Sequence, residues 1–329
     1  MKILVKATLV FLSLAITVFL ACKNETDDYE STIIPGLTLN NYPVIDGSTS
    51  SEPLNMIIAC KLLGIDYEWQ YDYVVSGEFA YYTGTKSVVP IVNKSTDRKI
   101  KEIIKSSNTH NSFVNLIKKE ADMTFSARKM SADEKTLAQE AGINLIETPI
   151  ALDAFIFILN RDNPIGSLTI NQIQDIYTDK ITNWNQIGDY DAPIVPYIRD
   201  KNSGSQELME LLVMKDIDMP EFPVNSREVL FTMAGPLDRV MRETNAICYT
   251  LYYYKENITD SGLEVKTVSI NGISPNKTTI SDQSYPYVAE VYAIIREDID
   301  KSSMAYKIYE WLQTLDGKQA IAESNYIPN

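Results

Sequence analysis

From Asn41 onward, short apolar runs alternate with stretches in which apolar residues recur every three or four positions. The runs read as strands and the stretches as amphipathic helices, and their alternation predicts βα units around largely parallel sheets. Pro43 to Asp46 reads as a strand. Pro53 to Leu63 reads as a helix with Leu54, Ile57, Ile58 and Leu62 on one face and Gly64 as its stop. Asn111 to Glu120 predicts a helix that feeds a strand over Asp122 to Ser126. Ser131-Ala132-Asp133-Glu134 and Thr169-Ile170-Asn171-Gln172 are capping boxes, in which a hydroxyl and an acidic or amide side chain three residues on satisfy each other's backbone N–H groups. They open helices ending at Gly142 and Tyr177. Ile143 to Thr148 predicts a strand, and Ala154 to Asn160, nearly all apolar, one buried on both faces. Further strands are expected over Ile194 to Ile198, Ala246 to Tyr254 and Val288 to Ile295, and helices over Gln206 to Met214 and Ser303 to Leu315.

One stretch breaks the alternation. Tyr67, Trp69, Tyr71 and Tyr73 occupy every second position, the period of a strand, and Ser76-Gly77-Glu78 offers a turn before Phe79 and Tyr81. A hairpin with an aromatic stripe follows. It either contacts a partner or folds onto its own lobe.

Length and composition enlarge this picture. A chain of 329 residues with 45% hydrophobic content exceeds the usual size of one core, so two well-packed lobes are expected. Lys2 and Lys6 precede an apolar run from Ala7 to Ala21 that stops at Cys22. The run is shorter than a spanning helix needs, and a small residue before a cysteine is the pattern of a cleaved lipoprotein signal peptide. The competing reading is a retained membrane anchor. Residues 1–21 are therefore expected to be removed and Cys22 to carry lipid. Residues 22–38, rich in Asn, Asp and Glu, read as a tether. A net charge of −14 argues against nucleic acid or an anionic membrane surface as the main partner, because both need clustered cations. It leaves room for a small anion held at one locally positive site. With Cys22 lipidated, Cys60 and Cys248 remain, each in an apolar stretch, and read as buried free thiols, with a disulfide between them in an exported chain as the alternative. A single histidine, His110, and no Cys/His cluster argue against zinc, and neither a metal nor a cofactor is expected.

Candidate chemistry sits at three junctions between a strand and a helix: Asp46-Gly47-Ser48-Thr49-Ser50, Ser107-Asn108-Thr109-His110 and Asn202-Ser203-Gly204-Ser205. A helix N-terminus presents unpaired N–H groups, glycine lets the backbone approach, and Ser or Thr adds a donor, so each junction can hold an anion. Each is also an ordinary helix cap. Arg199, four residues before Ser203 at a strand end, can grip an oxyanion through two parallel hydrogen bonds. Ser126 and Arg128 stand likewise at a strand end, where Arg128 could instead form a salt bridge. A hydrolase could use Ser203 or Ser205 with His110 as base, but the sequence has no Gly-x-Ser-x-Gly elbow. A surface-displayed or signalling lipoprotein is the other alternative.

Jointly these motifs become specific. The order Asp46-Gly47-Ser48-Thr49-Ser50-x-x-Pro53-Leu54, Ser126-x-Arg128-x-Met130-Ser131-x-x-Glu134, Ala151-Leu152-Asp153-Ala154-Phe155, Asn163-Pro164, Leu168-Thr169-x-x-Gln172-Ile173, Ile181-Thr182-Asn183-Trp184, Arg199-x-x-x-Ser203-Gly204-Ser205 and Tyr326-Ile327-Pro328 resembles the phosphate-binding lipoproteins of ABC-type phosphate importers. The resemblance implies a type II periplasmic-binding-protein fold, α/β and two-lobed, each lobe a mainly parallel sheet flanked by helices. It implies two crossovers, near Thr148 to Asp153 and near Cys248 to Tyr252, with residues 39–150 and 251–329 forming lobe one and residues 151–250 lobe two. It implies anion contacts from Thr49, Ser50, Thr109, Ser126, Arg128, Arg199, Ser203, Gly204 and Ser205. Phosphate or a related oxyanion would close the lobes, and a monomer, held at a bacterial membrane by its lipid, would deliver it to an ABC permease outside the cytoplasm. One position departs from the pattern. Where characterised members place an aspartate after the serine equivalent to Ser126, to accept the proton of hydrogen phosphate, this chain has Ala127. Asp46 and Asp153 are the nearest replacements by sequence, and weaker rejection of sulfate is expected.

Overall fold

The computed structural model describes residues 29–76, 79–226, 229–260 and 264–329, so the signal segment and Cys22 lie outside the described residues. Around one extended hydrophobic core, helices flank an eight-stranded sheet. The sheet runs in the order Ile45–Gly47, Met123–Ser126, Val288–Arg296, Leu145–Asn160, Ala246–Leu251, Val195–Pro196. Val265–Thr267 and Ile327–Pro328 also pair with Leu145–Asn160.

The strand Leu145–Asn160 is the organising element. The sequence suggests two strands here, Ile143 to Thr148 and Ala154 to Asn160, with Pro149 and Asp153 in the gap between them. The backbone nevertheless stays extended for 16 residues, buried throughout from Ile150 onward. Its first part, to Ala154, pairs with Val288–Arg296, and its second part, from Phe155, pairs with Ala246–Leu251. It therefore carries the chain from one half of the sheet to the other. The return is less simple than expected. Tyr253, just past Ala246–Leu251, stacks on Tyr326 at 3.6 Å, and Thr259 bridges to Thr85, both in the first half. The chain then goes back, since Val265–Thr267 pairs with residues 158–160, and it rejoins the first half at Val288. Residues 265–270 thus belong with the second half and not with lobe one.

The sheet is mixed rather than mainly parallel. Ile45–Gly47 with Met123–Ser126 and Val195–Pro196 with Ala246–Leu251 are parallel, whereas every partner of the long strand among the described residues is antiparallel to it. A chain that crosses between halves along one strand returns beside itself in the opposite sense.

Most predicted helices form with their caps. Both capping boxes close, at Ser131/Glu134 and at Thr169/Gln172. The helix expected over Ser303 to Leu315 ends at Trp311, and a further helix that the sequence reading missed, Leu315–Glu323, follows because Thr314 caps a new start. Gly317 permits this tight join, since a Cβ there would lie 2.2 Å from the Trp311 carbonyl oxygen. The expected helix over Gln206 to Met214 begins at Gly204 and widens to π geometry over Met209–Met214.

The aromatic stripe does form a hairpin, Tyr67–Ser76 with Phe79–Pro90. Its base lies on its own half. Trp69 packs against the core and holds Lys86 over its ring at 5.2 Å, and the Asp72 carboxylate accepts from the Thr85 and Ser87 hydroxyls. Side chains of residues 73–83 lie outside the described ones. Cys60 and Cys248 are free and buried, and burial pushes both thiols up to about 12.

Candidate functional site

Three loop-to-helix junctions meet at one cavity of about 450 Å³. Ser48, Thr49 and Ser50 come from the turn after Ile45–Gly47, and residues 108–111 from the start of Thr109–Ile117. Arg199, Asp200 and residues 202–205 come from the second half. Of the residues singled out by sequence, Thr49, Ser50, Thr109, Arg199, Ser203, Gly204 and Ser205 line it.

Each wall is held by its own bonds. In the first, the Ser51 hydroxyl donates to the carbonyls of Ser48 and Phe125, and the Ser48 hydroxyl lies 3.2 Å from that of Ser50. The Tyr326 hydroxyl donates to the Ser50 carbonyl. Asn108 sits at φ 68, ψ 170, a backbone region that side chains rarely adopt and one that costs on the order of 1–3 kcal/mol. Its carboxamide offsets part of that by accepting the Asn111 N–H. In the second wall, Ser203 caps the helical segment by accepting the Gln206 N–H. The walls touch at Gly204, where an added Cβ would lie 2.6 Å from the Thr109 hydroxyl oxygen. Only glycine allows that approach.

Arg199 supplies the charge. It is 3% exposed, its Nε donates to the Leu230 carbonyl at 2.9 Å, and its Nη1 lies 3.5 Å from the Met233 sulfur. Among the described residues no carboxylate forms an ion pair with it, and its Nη2 has no protein partner. Burial draws its pKa below the ordinary arginine value, against which nearby groups, Cys248 and Tyr249 first, act in the raising direction. An arginine still stays protonated, so this is a buried cation whose compensation must come from the cavity.

Ser126 and Arg128 are not in the lining, contrary to expectation. The Ser126 hydroxyl donates to the Arg128 carbonyl, and the Arg128 guanidinium grips the fully buried Glu134 through Nη1 at 2.7 Å and Nη2 at 2.8 Å. Glu134 is the acid of the capping box, so one carboxylate closes the helix start and neutralises the arginine. Ala127 does line the cavity. Neither proposed replacement for an acceptor there reaches it. Asp46 is consumed by the Gly47 and Ser107 N–H groups and the Asn115 carboxamide, and Asp153 is buried where the long strand changes halves, accepting from Ala154 and Tyr253. A hydrolytic arrangement is not assembled either, since His110 Nδ1 faces Glu134 at 3.1 Å and the Ser205 hydroxyl is directed to the Met233 sulfur.

Sequence reading missed Asp200, Phe231, Thr232, Met233 and Leu251, which also line the cavity. Val229–Leu230, a loop and the helix Gly235–Arg242 with Pro236 in its first turn repeat the strand–loop–helix signal of the other junctions. That signal was available.

The sequence matches the PBP superfamily domain over residues 69–313. The phosphate-binding protein PstS of Staphylococcus epidermidis is 25% identical over 255 residues, covering 74% of this chain and 77% of that protein. PstS of Borreliella burgdorferi is 24% identical over 184 residues, covering 55% of this chain and 65% of that protein, just under two thirds of its length. Among solved structures, a putative phosphate ABC transporter substrate-binding protein with bound phosphate from Clostridium perfringens superposes with a TM-score of 0.61 at 23% identity, covering 87% of this chain and 98% of that one. An ABC-type phosphate transport receptor from Vibrio cholerae superposes with a TM-score of 0.58 at 20% identity, covering 86% and 98%. The two structural likenesses carry the fold.

Proposed function

Because the chain belongs to the PBP superfamily, we propose that it is an extracytoplasmic solute-binding protein that captures phosphate in this cavity and delivers it to the membrane permease of an ABC importer. The observation that carries the reading is Arg199, a buried guanidinium with no carboxylate partner among the described residues, lining a cavity otherwise rich in hydroxyl and backbone donors. The names of the relatives point to the same ligand.

Thr49, Ser50, Thr109, Ser203, Gly204 and Ser205 hold the anion together with Arg199. Their donors replace its hydration shell as the two walls close, and the charge-assisted contact from Arg199 supplies most of the affinity. No chemical change in the ligand belongs to this reading. Hinge closure about the long strand and the segment through Tyr253 moves the walls, whose contact at Gly204 and Thr109 is the closed boundary. The protein works as a monomer, tethered by lipid on Cys22. No helix among the described residues is long and apolar enough to cross a membrane.

Calorimetric titration with phosphate tests the reading. Saturable one-to-one binding and a melting temperature that climbs with phosphate concentration are expected, because a ligand that binds only the folded state stabilises it by mass action. Absence of both at millimolar phosphate would refute it.

A further inference from the structure

We infer that His110 is the proton acceptor by which the cavity distinguishes hydrogen phosphate from sulfate, an inference that rests on the phosphate reading above. The groups already described are donors: a guanidinium, hydroxyls and backbone N–H groups. They welcome any tetrahedral oxyanion. Hydrogen phosphate carries a proton and sulfate at neutral pH does not, so telling them apart requires a lone pair aimed at the ligand. Ala127 cannot supply one, and Asp46 and Asp153 are committed elsewhere.

His110 lines the cavity, and its Nδ1 lies 3.1 Å from Glu134 Oε1. Glu134 accepts from both terminal nitrogens of Arg128 and from the Ser131 N–H at 2.8 Å. A carboxylate surrounded by donors in this way can only accept, so Nδ1 carries the hydrogen of the contact. In the neutral ring Nε2 is then left as an acceptor, the arrangement by which a carboxylate fixes an imidazole tautomer. The ligand's P–OH donates to that lone pair, whereas every sulfate oxygen meets it without a proton to share. Arg128 acts through Glu134 and the ring, as a positioning residue. Asp200 is the rival, since it lines the same cavity and one of its oxygens accepts the Asn202 N–H.

The chain contains one histidine, so imidazole nitrogen NMR of untagged protein labelled in histidine reports this ring alone. The free protein should show protonated Nδ1 and bare Nε2. Phosphate should shift Nε2 in the direction of hydrogen bonding, and sulfate should not. In competition titrations, His110→Ala should weaken phosphate by about tenfold and leave sulfate nearly unchanged, the scale of one lost hydrogen bond in a dry site. Asp200→Asn should leave the ratio of the two anions intact. A ring protonated at Nε2, a ratio unchanged in His110→Ala, or a ratio that collapses in Asp200→Asn while His110→Ala keeps it would each overturn the inference. In those cases retained phosphate binding would leave the functional reading standing. A wild type that binds no phosphate would sink both.

Discussion

Arg128 and Arg199 each stand at or just past the end of a strand, are 4% and 3% exposed, and precede a helical segment capped by a serine. Arg128 is neutralised within the fold by Glu134, six residues on and itself fully buried. Arg199 has no such partner among the described residues and lines the cavity. The same residue in the same local setting is therefore a fold element in one half of the molecule and a ligand-seeking charge in the other. What separates them is whether an acid pairs with the guanidinium: Glu134 does so for Arg128, whereas Asp200, next to Arg199 in the chain and in the same cavity, forms no ion pair with it.

The comparison breaks most sharply in stability. Removing the guanidinium of Arg128 leaves the Glu134 carboxylate buried without its partner, and Arg128→Ala should lose on the order of 3–5 kcal/mol of unfolding free energy, read by urea denaturation. Arg199→Ala removes a buried charge that no carboxylate among the described residues pairs with, so its fold should be as stable as the wild type or more so. Its loss appears instead in phosphate affinity, on the order of 2–5 kcal/mol by calorimetry. If the two variants exchange these phenotypes, the assignment of the arginines is reversed.

A third buried ionisable group sharpens the contrast. Asp153 lies where the long strand changes halves, one of its oxygens accepts from Ala154 and Tyr253, and the other has no partner. Burial raises its pKa to about 7, against which the two backbone bonds act in the lowering direction. Its pKa in the unfolded chain is about 3.9, so between roughly pH 4 and 7 the folded state binds more protons than the unfolded one. Its contribution to stability is present below that window and is lost as pH rises through it. Asp153→Asn should therefore gain stability over the wild type at pH 8, by an amount on the order of a few kcal/mol that shrinks toward pH 4, measured as paired melting curves. A gap that does not change with pH would contradict this.

Much of the fold was legible because local physics fixed it. Ser131 with Glu134 and Thr169 with Gln172 closed as capping boxes, and the wholly apolar Ala154 to Asn160 was buried as its composition required. The continuity of Leu145–Asn160 was hidden, because Pro149 and Asp153 fall between the two apolar runs that read as separate strands. The cavity was read through hydroxyls and glycine before helices, which is why Thr49, Thr109 and Ser203 were found together while Phe231 to Met233 were missed. Arg128 misled for a different reason. Its partner Glu134 reads in the sequence as the acid of a capping box, and nothing in a linear pattern shows that one carboxylate can serve both the cap and the arginine.

A crystal structure grown with phosphate puts the account to its most direct test. It should show one tetrahedral anion in the cavity, with oxygens within hydrogen-bond distance of Arg199 and of the Ser203 to Ser205 backbone, and with the Arg128 to Glu134 pair intact. An anion bound to Arg128, or a cavity without one at saturating phosphate, would contradict it.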